Sequence, residues 1–263
     1  MRTYASDSLV FARRNLAHIR QIPEKLIDVT VQPLMFVLLF AFVFGGVIAV
    51  PGGDYKEYLM GGILVQSIAF GIMGPATSIV TDLTEGIVDR FRSLPASRSA
   101  YLGGHMIAEL AAMTLAITVM TVSGLIIGWH IDTGVLSALG GFGLLLLFAF
   151  SMLWVGTLLG VVARSTDSAM GTLFLIVFPA TFLSNAFVPA DGLPDGLRTV
   201  AEWNPVSIMV AAVRTAFGNP TALPADASWP LAHPVPCAVI GCALILALAV
   251  PATVWRFNVR TTD

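Results

Sequence analysis

The chain has 263 residues, of which 56% are hydrophobic and only 11% are charged, less than half the charged fraction of an average soluble domain. This composition excludes a soluble enzyme, and the net charge of -2 offers no basic footprint for nucleic acid. Several apolar runs reach the roughly 20 residues that a helix needs to cross a bilayer. We therefore expect a single all-α integral membrane domain in contact with the lipid bilayer.

The first part of the chain predicts one amphipathic segment, two crossings and a charged loop. Residues 1–26 mix apolar and basic side chains, which suits an interfacial helix or a solvated N-terminal arm. Transmembrane helices are predicted at 27–50 and 58–80, the second with an interruption at Gly74-Pro75. Residues 81–100 then form the most charged stretch of the chain.

The second part predicts four further crossings, at 101–128, 135–163, 169–188 and 236–255. Between the last two lies a Pro-rich segment, 189–234, which contains a helix with both ends marked. Asn204 suits the N-cap, Pro205 the first helical position and Gly218 the C-terminal cap. This helix is too short to span, so we expect it to be interfacial or re-entrant.

The distribution of basic residues predicts the orientation of six crossings, because Lys and Arg concentrate on the cytoplasmic side. One side receives Arg2, Arg13, Arg14, Arg20, Lys25, Arg90, Arg92, Arg98, Arg164, Arg256 and Arg260, and the other receives Lys56, Arg198 and Arg214. Both termini should be cytoplasmic, which makes 81–100 cytoplasmic and 189–234 extracellular. Trp129, Trp203, Trp229 and Trp255 fall near span ends, as interfacial tryptophans do.

Several catalytic and metal-binding patterns are absent from the sequence. A P-loop needs a Gly-Lys pair, and the only lysines, Lys25 and Lys56, follow Glu24 and Tyr55. No cluster of His and Cys has metal-ligand spacing, and Cys237 and Cys242 are poorly placed for a disulfide on one helix. We expect no ATPase activity, no metal and no bound cofactor in this chain itself.

One predicted crossing carries an acid. Glu109 lies inside 101–128, and His105 lies one turn away on the same helix face. An ionisable residue within a membrane is a candidate for proton relay or substrate contact. Alternatively, its side chain snorkels or bonds to a neighbouring helix near the cytoplasmic end.

Two phenylalanine ladders occupy single helix faces, Phe36, Phe40 and Phe44 in the first crossing and Phe174, Phe178 and Phe182 in the fifth. An aromatic face of this kind suits a pathway for flat, apolar or cationic solutes, although lipid-facing or packing phenylalanines give the same pattern. Two Gly-x-x-x-Gly pairs, Gly124 with Gly128 and Gly156 with Gly160, predict close helix packing.

The charged loop is the strongest candidate for contact with a soluble partner. Its charged residues include Asp82, Glu85, Asp89, Arg90 and Arg92. A cytoplasmic helix with these side chains can be gripped by another protein, whereas a solvated loop that only sets topology has the same composition. The residues alone leave both alternatives open.

Three segments carry a resemblance to a known family: 27–36 (IDVTVQPLMF), 89–98 (DRFRSLPASR), and 183–189 (LSNAFVP) with the later Asn204-Pro205-Val206-Ser207. Their order and spacing resemble those of type-2 ABC exporter permeases, specifically the membrane subunit of daunorubicin-resistance type drug exporters. The resemblance implies a homodimer or pseudo-dimer of six-helix subunits in the bacterial plasma membrane. Each subunit would engage a separate ATP-binding subunit, which holds ATP and Mg, through the loop between crossings two and three.

The resemblance also implies roles for particular segments. Residues 4–25 would form an interfacial elbow helix, 81–100 would contain the coupling helix, and the segment after Pro189 would cap the exit. We expect the pathway to lie between two copies, lined partly by Phe36, Phe40, Gln66, Phe70, Phe178 and Asn185. The expected substrate is a hydrophobic or amphipathic, drug-like small molecule.

Three alternatives remain open at this point. Related permeases move lipids or lipid-linked glycans, so the substrate class of an ABC exporter could differ. A proton-coupled secondary transporter could use Glu109. A membrane scaffold or receptor that transports nothing would have the same composition.

Overall fold

The computed structural model describes residues 31, 34–44, 50, 53–86, 98–189, 193–223 and 226–260. All regular elements within these residues are helical, as the predicted all-α class requires. The helices are α1 (Leu34–Val43), α2 (Tyr55–Gly71), α3 (Met73–Thr84), α4 (Arg98–Ile126), α5 (Val135–Val162), α6 (Thr166–Phe182), α7 (Asp195–Trp203), α8 (Pro205–Phe217), α9 (Trp229–Ala232) and α10 (Pro234–Arg260). A π-helical turn, Phe40–Phe44, overlaps the end of α1 and extends one residue beyond it.

Four stretches of the described chain are long and apolar enough to cross a bilayer: Tyr55–Thr84, Tyr101–Ile126, Val135–Val162 and Pro234–Arg260. Helices α1, α6 and α8 are apolar but shorter. The predicted crossing 27–50 and the loop 81–100 are described only in part, and the predicted interfacial helix, 1–26, lies outside the described residues. Helix α6 ends at Phe182, not at the predicted residue 188, because an irregular turn follows.

The second span is interrupted at Ile72, where α2 ends and α3 begins. The sequence placed this interruption at Gly74-Pro75, two residues later. A proline ring clashes with the carbonyl four residues before it, which for Pro75 is the carbonyl of Gly71. The helical hydrogen-bond ladder therefore breaks one turn ahead of the proline itself.

Helix α5 lies at the centre of the bundle, in contact with α2, α3, α8 and α10. Its small residues allow this approach. A Cβ atom at Gly156 would lie 2.5 Å from the carbonyl oxygen of Ile72, and one at Gly160 would lie 2.5 Å from that of Ala76. The predicted packing role is confirmed for this pair, and it brings α5 against the backbone at the interruption and one turn after it.

For the other pair, Gly124 and Gly128, the packing prediction is confirmed at the first glycine only. A Cβ atom at Gly124 would lie 2.6 Å from the Met60 side chain, as a packing glycine requires. Gly128, however, follows the end of α4 with a φ of 98° and has open space around it. It ends the helix, because glycine adopts a positive φ without the cost that a Cβ imposes.

Helix α8 has the ends that the sequence predicts. The Asn204 side chain accepts the N–H of Val206 at 2.9 Å, Pro205 occupies the first position, and Gly218 has a left-handed φ of 76°. Its 13 residues extend about 20 Å, less than a bilayer core. Helix α8 packs against α2, α5 and α10 and is buried along most of its length, so it is part of the helical bundle. Its placement relative to the bilayer stays a prediction.

Three of the four predicted interfacial tryptophans are exposed, but Trp129 is fully buried. Its indole N–H donates to the Asn219 side chain at 2.9 Å, and its ring packs edge-on against Phe217. The turn between α4 and α5 is thereby fastened under the end of α8. The expectation for Trp129 was wrong, because the partners that bury it come from a distant part of the chain.

Candidate functional site

The two predicted phenylalanine ladders form one continuous row of rings. Phe36 stacks on Phe40 at 6.0 Å in α1, and in α6 the successive ring centroids of Phe174, Phe178 and Phe182 lie 5.1 and 4.4 Å apart. The side chain of Phe44 lies outside the described part of the chain. The rings of α6 are about half exposed on this single chain, so the α6 part of the row faces whatever surrounds the subunit.

Phe187 joins the two ladders, and sequence reasoning missed it. Its ring centroid lies 4.5 Å from that of Phe40 and 5.8 Å from that of Phe182. Phe187 follows Phe182 by five residues, in the irregular turn after α6, so a search at helical spacing passes over it. The joined rings form an apolar and polarisable row that extends across two helices. Phe187 itself is buried within this row.

The turn that carries Phe187 is held by hydrogen bonds from α2, from α8 and from Asn204, the N-cap residue of α8. The Tyr58 hydroxyl of α2 donates to the Asn185 carbonyl at 2.7 Å, and the Asn185 N–H donates to the Ser207 hydroxyl of α8 at 3.1 Å. The Asn204 amide donates to the carbonyls of Ala180 and Leu183 at 2.6 and 3.0 Å. The Asn204 side chain therefore caps α8 and also ties it to the end of α6.

Arg214 completes this arrangement from inside the bundle. Its guanidinium donates to the carbonyls of Tyr58, Asn185 and Ala186 at 2.8, 3.1 and 2.9 Å. The side chain is fully buried, although sequence counting placed it among the extracellular surface charges. Carbonyl dipoles and the face of an aromatic ring take the place of water around this cation.

Two glycines of α2 make room for these contacts. A Cβ atom at Gly61 would lie 2.8 Å from the Arg214 stem, and one at Gly62 would lie 2.0 Å from the Ala186 carbonyl oxygen. Any larger side chain at Gly62 would displace the turn. The position of Phe187 thus depends on the two residues of α2 that have no side chain, Gly61 and Gly62.

Two predicted pathway residues present polar groups without partners among the described residues. Gln66, one turn beyond Gly62, is buried and its side-chain N–H₂ has no acceptor there. The side-chain oxygen of buried Asn185 likewise has no donor there. Phe70, one turn further along α2, is half-buried against the core. Buried polar groups usually have partners, so Gln66 and Asn185 are candidates for contact with a solute.

Glu109 and His105 lie in α4 as predicted, but in different environments. His105 is buried and its ring stacks on Tyr101 at 6.4 Å. Glu109 is half-buried and faces α3, since a Cβ atom at Gly74 would lie 3.7 Å from its Oε2 atom. The acid therefore points at the helix that follows the Ile72 interruption. Its proposed role in proton relay stays a hypothesis.

Of the five predicted coupling residues, the structure describes two. Asp82 accepts a hydrogen bond from the Tyr101 hydroxyl, and Glu85 is exposed at the C-terminal cap of α3. Asp89, Arg90 and Arg92 lie outside the described residues. A separate apolar cluster of Ile79, Tyr101, Leu102, Val161 and Phe257 fastens the ends of α3, α4, α5 and α10 together where the charged loop departs.

At the opposite end, Arg198 of α7 bonds to Glu202 at 2.8 Å and to Asp226 at 2.5 Å. Glu202 also accepts the backbone N–H of Ser228 at 3.1 Å. The hydrogen bond from Arg198 lowers the pKa of the Asp226 carboxyl below its ordinary value. This cluster ties α7 to the polar segment that precedes α9.

Comparison with known proteins assigns the family. The family model described as the ABC-2 type transporter matches residues 8–217. The daunorubicin resistance ABC transporter permease protein DrrB1 of Streptomyces coeruleorubidus is 32% identical over 81% of this chain and 75% of its own length. The chain belongs to the ABC-2 type transporter family. The doxorubicin resistance ABC transporter permease protein DrrB of Mycobacterium tuberculosis is 24% identical over 78% of this chain and 71% of its own.

The ABC-2 match runs from the predicted interfacial segment to the end of α8. It therefore includes both phenylalanine ladders, Phe187 and the whole Arg214 network. Helix α10 lies beyond the matched residues and contributes the C-terminal side of the bundle. In this ABC-2 chain the two cysteines are free thiols, and the described residues contain no cluster of His, Cys, Asp and Glu that could hold a metal.

Proposed function

We propose that this chain is the membrane-spanning subunit of a bacterial ABC exporter that moves a drug-like, hydrophobic or amphipathic small molecule out of the cell. The observation that carries the proposal is membership of the ABC-2 family, together with relatives named for daunorubicin and doxorubicin resistance. The row of phenylalanine rings supports it, because planar apolar molecules stack favourably on aromatic faces. Buried Gln66 and Asn185 would bond the polar groups of an amphipathic substrate.

The transport pathway lies between two copies of the chain in this proposal. Phe174, Phe178 and Phe182 are about half exposed, and a second copy facing them would close an aromatic passage between the subunits. Six crossings per copy follow if 27–50 and 169–188 complete their spans, with both termini in the cytoplasm. The Pro-rich segment 189–234 then faces outward, with the turn at Phe187 near the exit.

Energy comes from a separate ATP-binding subunit that holds ATP and Mg. We propose that it contacts the loop 81–100 and that its movement reaches α3 and α4 through the cluster around Ile79 and Tyr101. Reversing the charges of Glu85 and Arg90 together tests this contact. Loss of substrate-stimulated ATPase activity with intact basal activity supports the contact, and unchanged coupling argues against it.

The decisive experiment measures daunorubicin accumulation in inverted membrane vesicles that contain this chain and its ATPase. The proposal expects accumulation that requires ATP and that survives collapse of the proton gradient. Accumulation that is independent of ATP but abolished by a protonophore would instead identify a secondary transporter, with Glu109→Gln as its test. If no transport is observed and no ATPase copurifies with the chain, the protein is a scaffold. If only a lipid or a lipid-linked glycan is transported, the protein is an exporter of a different substrate class.

A further inference from the structure

A basic cavity lies at the end of the bundle where α5 and α10 finish. Its volume is about 280 Å³, and its lining residues are Val161, Val162, Arg164, Arg256, Val259 and Arg260. The cavity sits beside the apolar cluster that includes Val161 and Phe257, so it belongs to the same end as the charged loop. None of the phenylalanines of the row lines this cavity, so it is separate from the transport pathway proposed above.

Three arginines line this cavity, and its lining residues include no carboxylate. Arg164 and Arg256 are exposed and Arg260 is half-buried. In the parts of the chain that are described, the ion pairs are those of Arg198, at the other end of the molecule. Asp167, in the first turn of α6, is exposed and does not line the cavity. Like charges held together favour the binding of an anion, which lowers their mutual repulsion.

The arginines are partly pre-positioned. One terminal nitrogen of Arg260, Nη1, donates to the carbonyls of Val161 and Ala163 at 2.6 and 2.7 Å, which satisfies the end of α5. Its Nε and second terminal nitrogen keep N–H groups for another acceptor. The guanidinium of Arg256 lies 5.4 Å from the Trp255 ring. Planar guanidinium groups held in this way suit the oxygens of a phosphate.

The surroundings favour a lipid as the source of that phosphate. Three valines line the cavity beside the arginines, and both helices that form it are long enough to span a bilayer. The Trp255 side chain next to it is 60% exposed, as expected of tryptophan at the headgroup level. The volume is smaller than the roughly 300–1,000 Å³ of drug-sized pockets, but it can take a headgroup whose acyl chains remain in the bilayer.

We propose that this cavity binds the phosphate-bearing headgroup of an anionic phospholipid through Arg164, Arg256 and the remaining N–H groups of Arg260. Basic pockets between spanning helices on the cytoplasmic side are typical sites for such headgroups. The bound lipid would neutralise the arginines and stabilise the junction between α5, α6 and α10. This site would act independently of the transported molecule.

Native mass spectrometry of the purified full-length chain in detergent tests the proposal, with phosphatidylglycerol and phosphatidylcholine as separate probes. We expect tighter binding of phosphatidylglycerol. The double variant Arg164→Gln with Arg256→Gln should weaken that binding about 30-fold, because each basic residue at a membrane surface contributes roughly fivefold to the affinity. Replacement of the same two residues by lysine should retain most of the affinity.

Lys56→Gln provides the matched control, since it removes a positive charge at the far end of the Tyr55–Thr84 span and should leave lipid affinity unchanged. Equal affinity of the wild type for both lipids would overturn the proposal without any variant, even if the glutamine variant fails to fold. If glycerol 3-phosphate bound with the same affinity as phosphatidylglycerol, the site would be one for a free phosphate group and the lipid proposal would be wrong. If the double glutamine variant no longer copurified with the ATPase but kept its affinity for phosphatidylglycerol, the cavity would be a contact site for a protein partner. This result would also refute the lipid site.

Discussion

The guanidinium carbon of Arg214 lies 3.4 Å from the centroid of the Tyr58 ring, and its Nε–H donates to the carbonyl of the same residue. The other N–H groups of Arg214 reach the carbonyls of Asn185 and Ala186. A single buried side chain therefore joins α2, the turn after α6, and α8. Helix α8 is too short to cross a bilayer, and this network explains how it is retained inside the bundle.

Replacing Arg214 should destabilise the protein strongly. Arg214→Met keeps much of the apolar stem but leaves three carbonyls without their charged donor, so we expect the free energy of unfolding to fall by about 3 kcal/mol. Arg214→Lys should be intermediate, because an ammonium group lacks the planar fork that reaches several carbonyls at once. Thermal unfolding of the purified chain in detergent measures both effects.

Arg198→Met is the control for Arg214, since Arg198 is a partly exposed cation paired with Glu202 and Asp226. Its loss should lower the melting temperature much less than the loss of Arg214, because solvent screens ion pairs near the surface. An Arg214→Met variant as stable as the wild type would contradict the proposed network.

Phe187 should affect substrate affinity more than turnover. Phe187→Leu preserves an apolar side chain but removes the ring that lies between Phe40 and Phe182. Aromatic contacts contribute roughly 0.5–1.5 kcal/mol beyond burial, so we expect KM for a planar substrate to rise about threefold to tenfold with kcat nearly unchanged. ATP-dependent transport in vesicles measures both constants. Phe187→Tyr retains the ring and should behave like the wild type, and equal KM values for all three proteins would remove Phe187 from the pathway.

Two glycines of α5 form a matched pair for testing the contact with the interrupted span. Gly160→Ala places a methyl group 2.5 Å from the Ala76 carbonyl oxygen and should destabilise the fold by about 1–3 kcal/mol. Gly143→Ala, on the same helix, meets open space and should be neutral or stabilising by up to about 1 kcal/mol. Thermal unfolding of the two variants, compared side by side, checks the difference. Equal stability would show that α5 does not depend on this close approach.

The Arg198 and Asp226 pair predicts a dependence on acid pH. The pKa of Asp226 is lowered in the folded protein by its hydrogen bond from Arg198, so folding favours the ionised carboxylate. Its contribution to stability is complete above the ordinary pKa of 3.8 and disappears as the pH falls through the lower folded pKa. The difference in melting temperature between wild type and Asp226→Asn should therefore shrink as the pH is lowered from 7 towards 3. A difference that stays constant over this range would contradict the assignment.

The structural features that depend on residues close together in the sequence could be predicted. The limits of α8 follow from Asn204, Pro205 and Gly218, each of which acts within one turn of its own position. The two phenylalanine ladders follow from helical spacing, and the packing of Gly156 and Gly160 from their small size. These signals depend on neighbouring residues and need no knowledge of the tertiary structure.

The remaining features depend on partners that are distant along the chain. Arg214 is separated from Tyr58 by 156 residues and Trp129 from Asn219 by 90, so composition and spacing gave no sign that either side chain is buried. One signal could have predicted the burial of Arg214. The rest of α8 is apolar on most sides, and a helix that is apolar all round is usually buried. Phe187 lies in an irregular turn, where no periodicity applies.

The interruption at Ile72 has a consequence for how the second span can move. Gly156 and Gly160 place the backbone of α5 directly against the carbonyls of Ile72, at the interruption, and of Ala76, one turn after it. Helix α5 therefore supports the second span at its interruption, and the support includes contact with its main chain as well as with the side chains of Ile72 and Ile79. Straightening the second span would require the two helices to separate first.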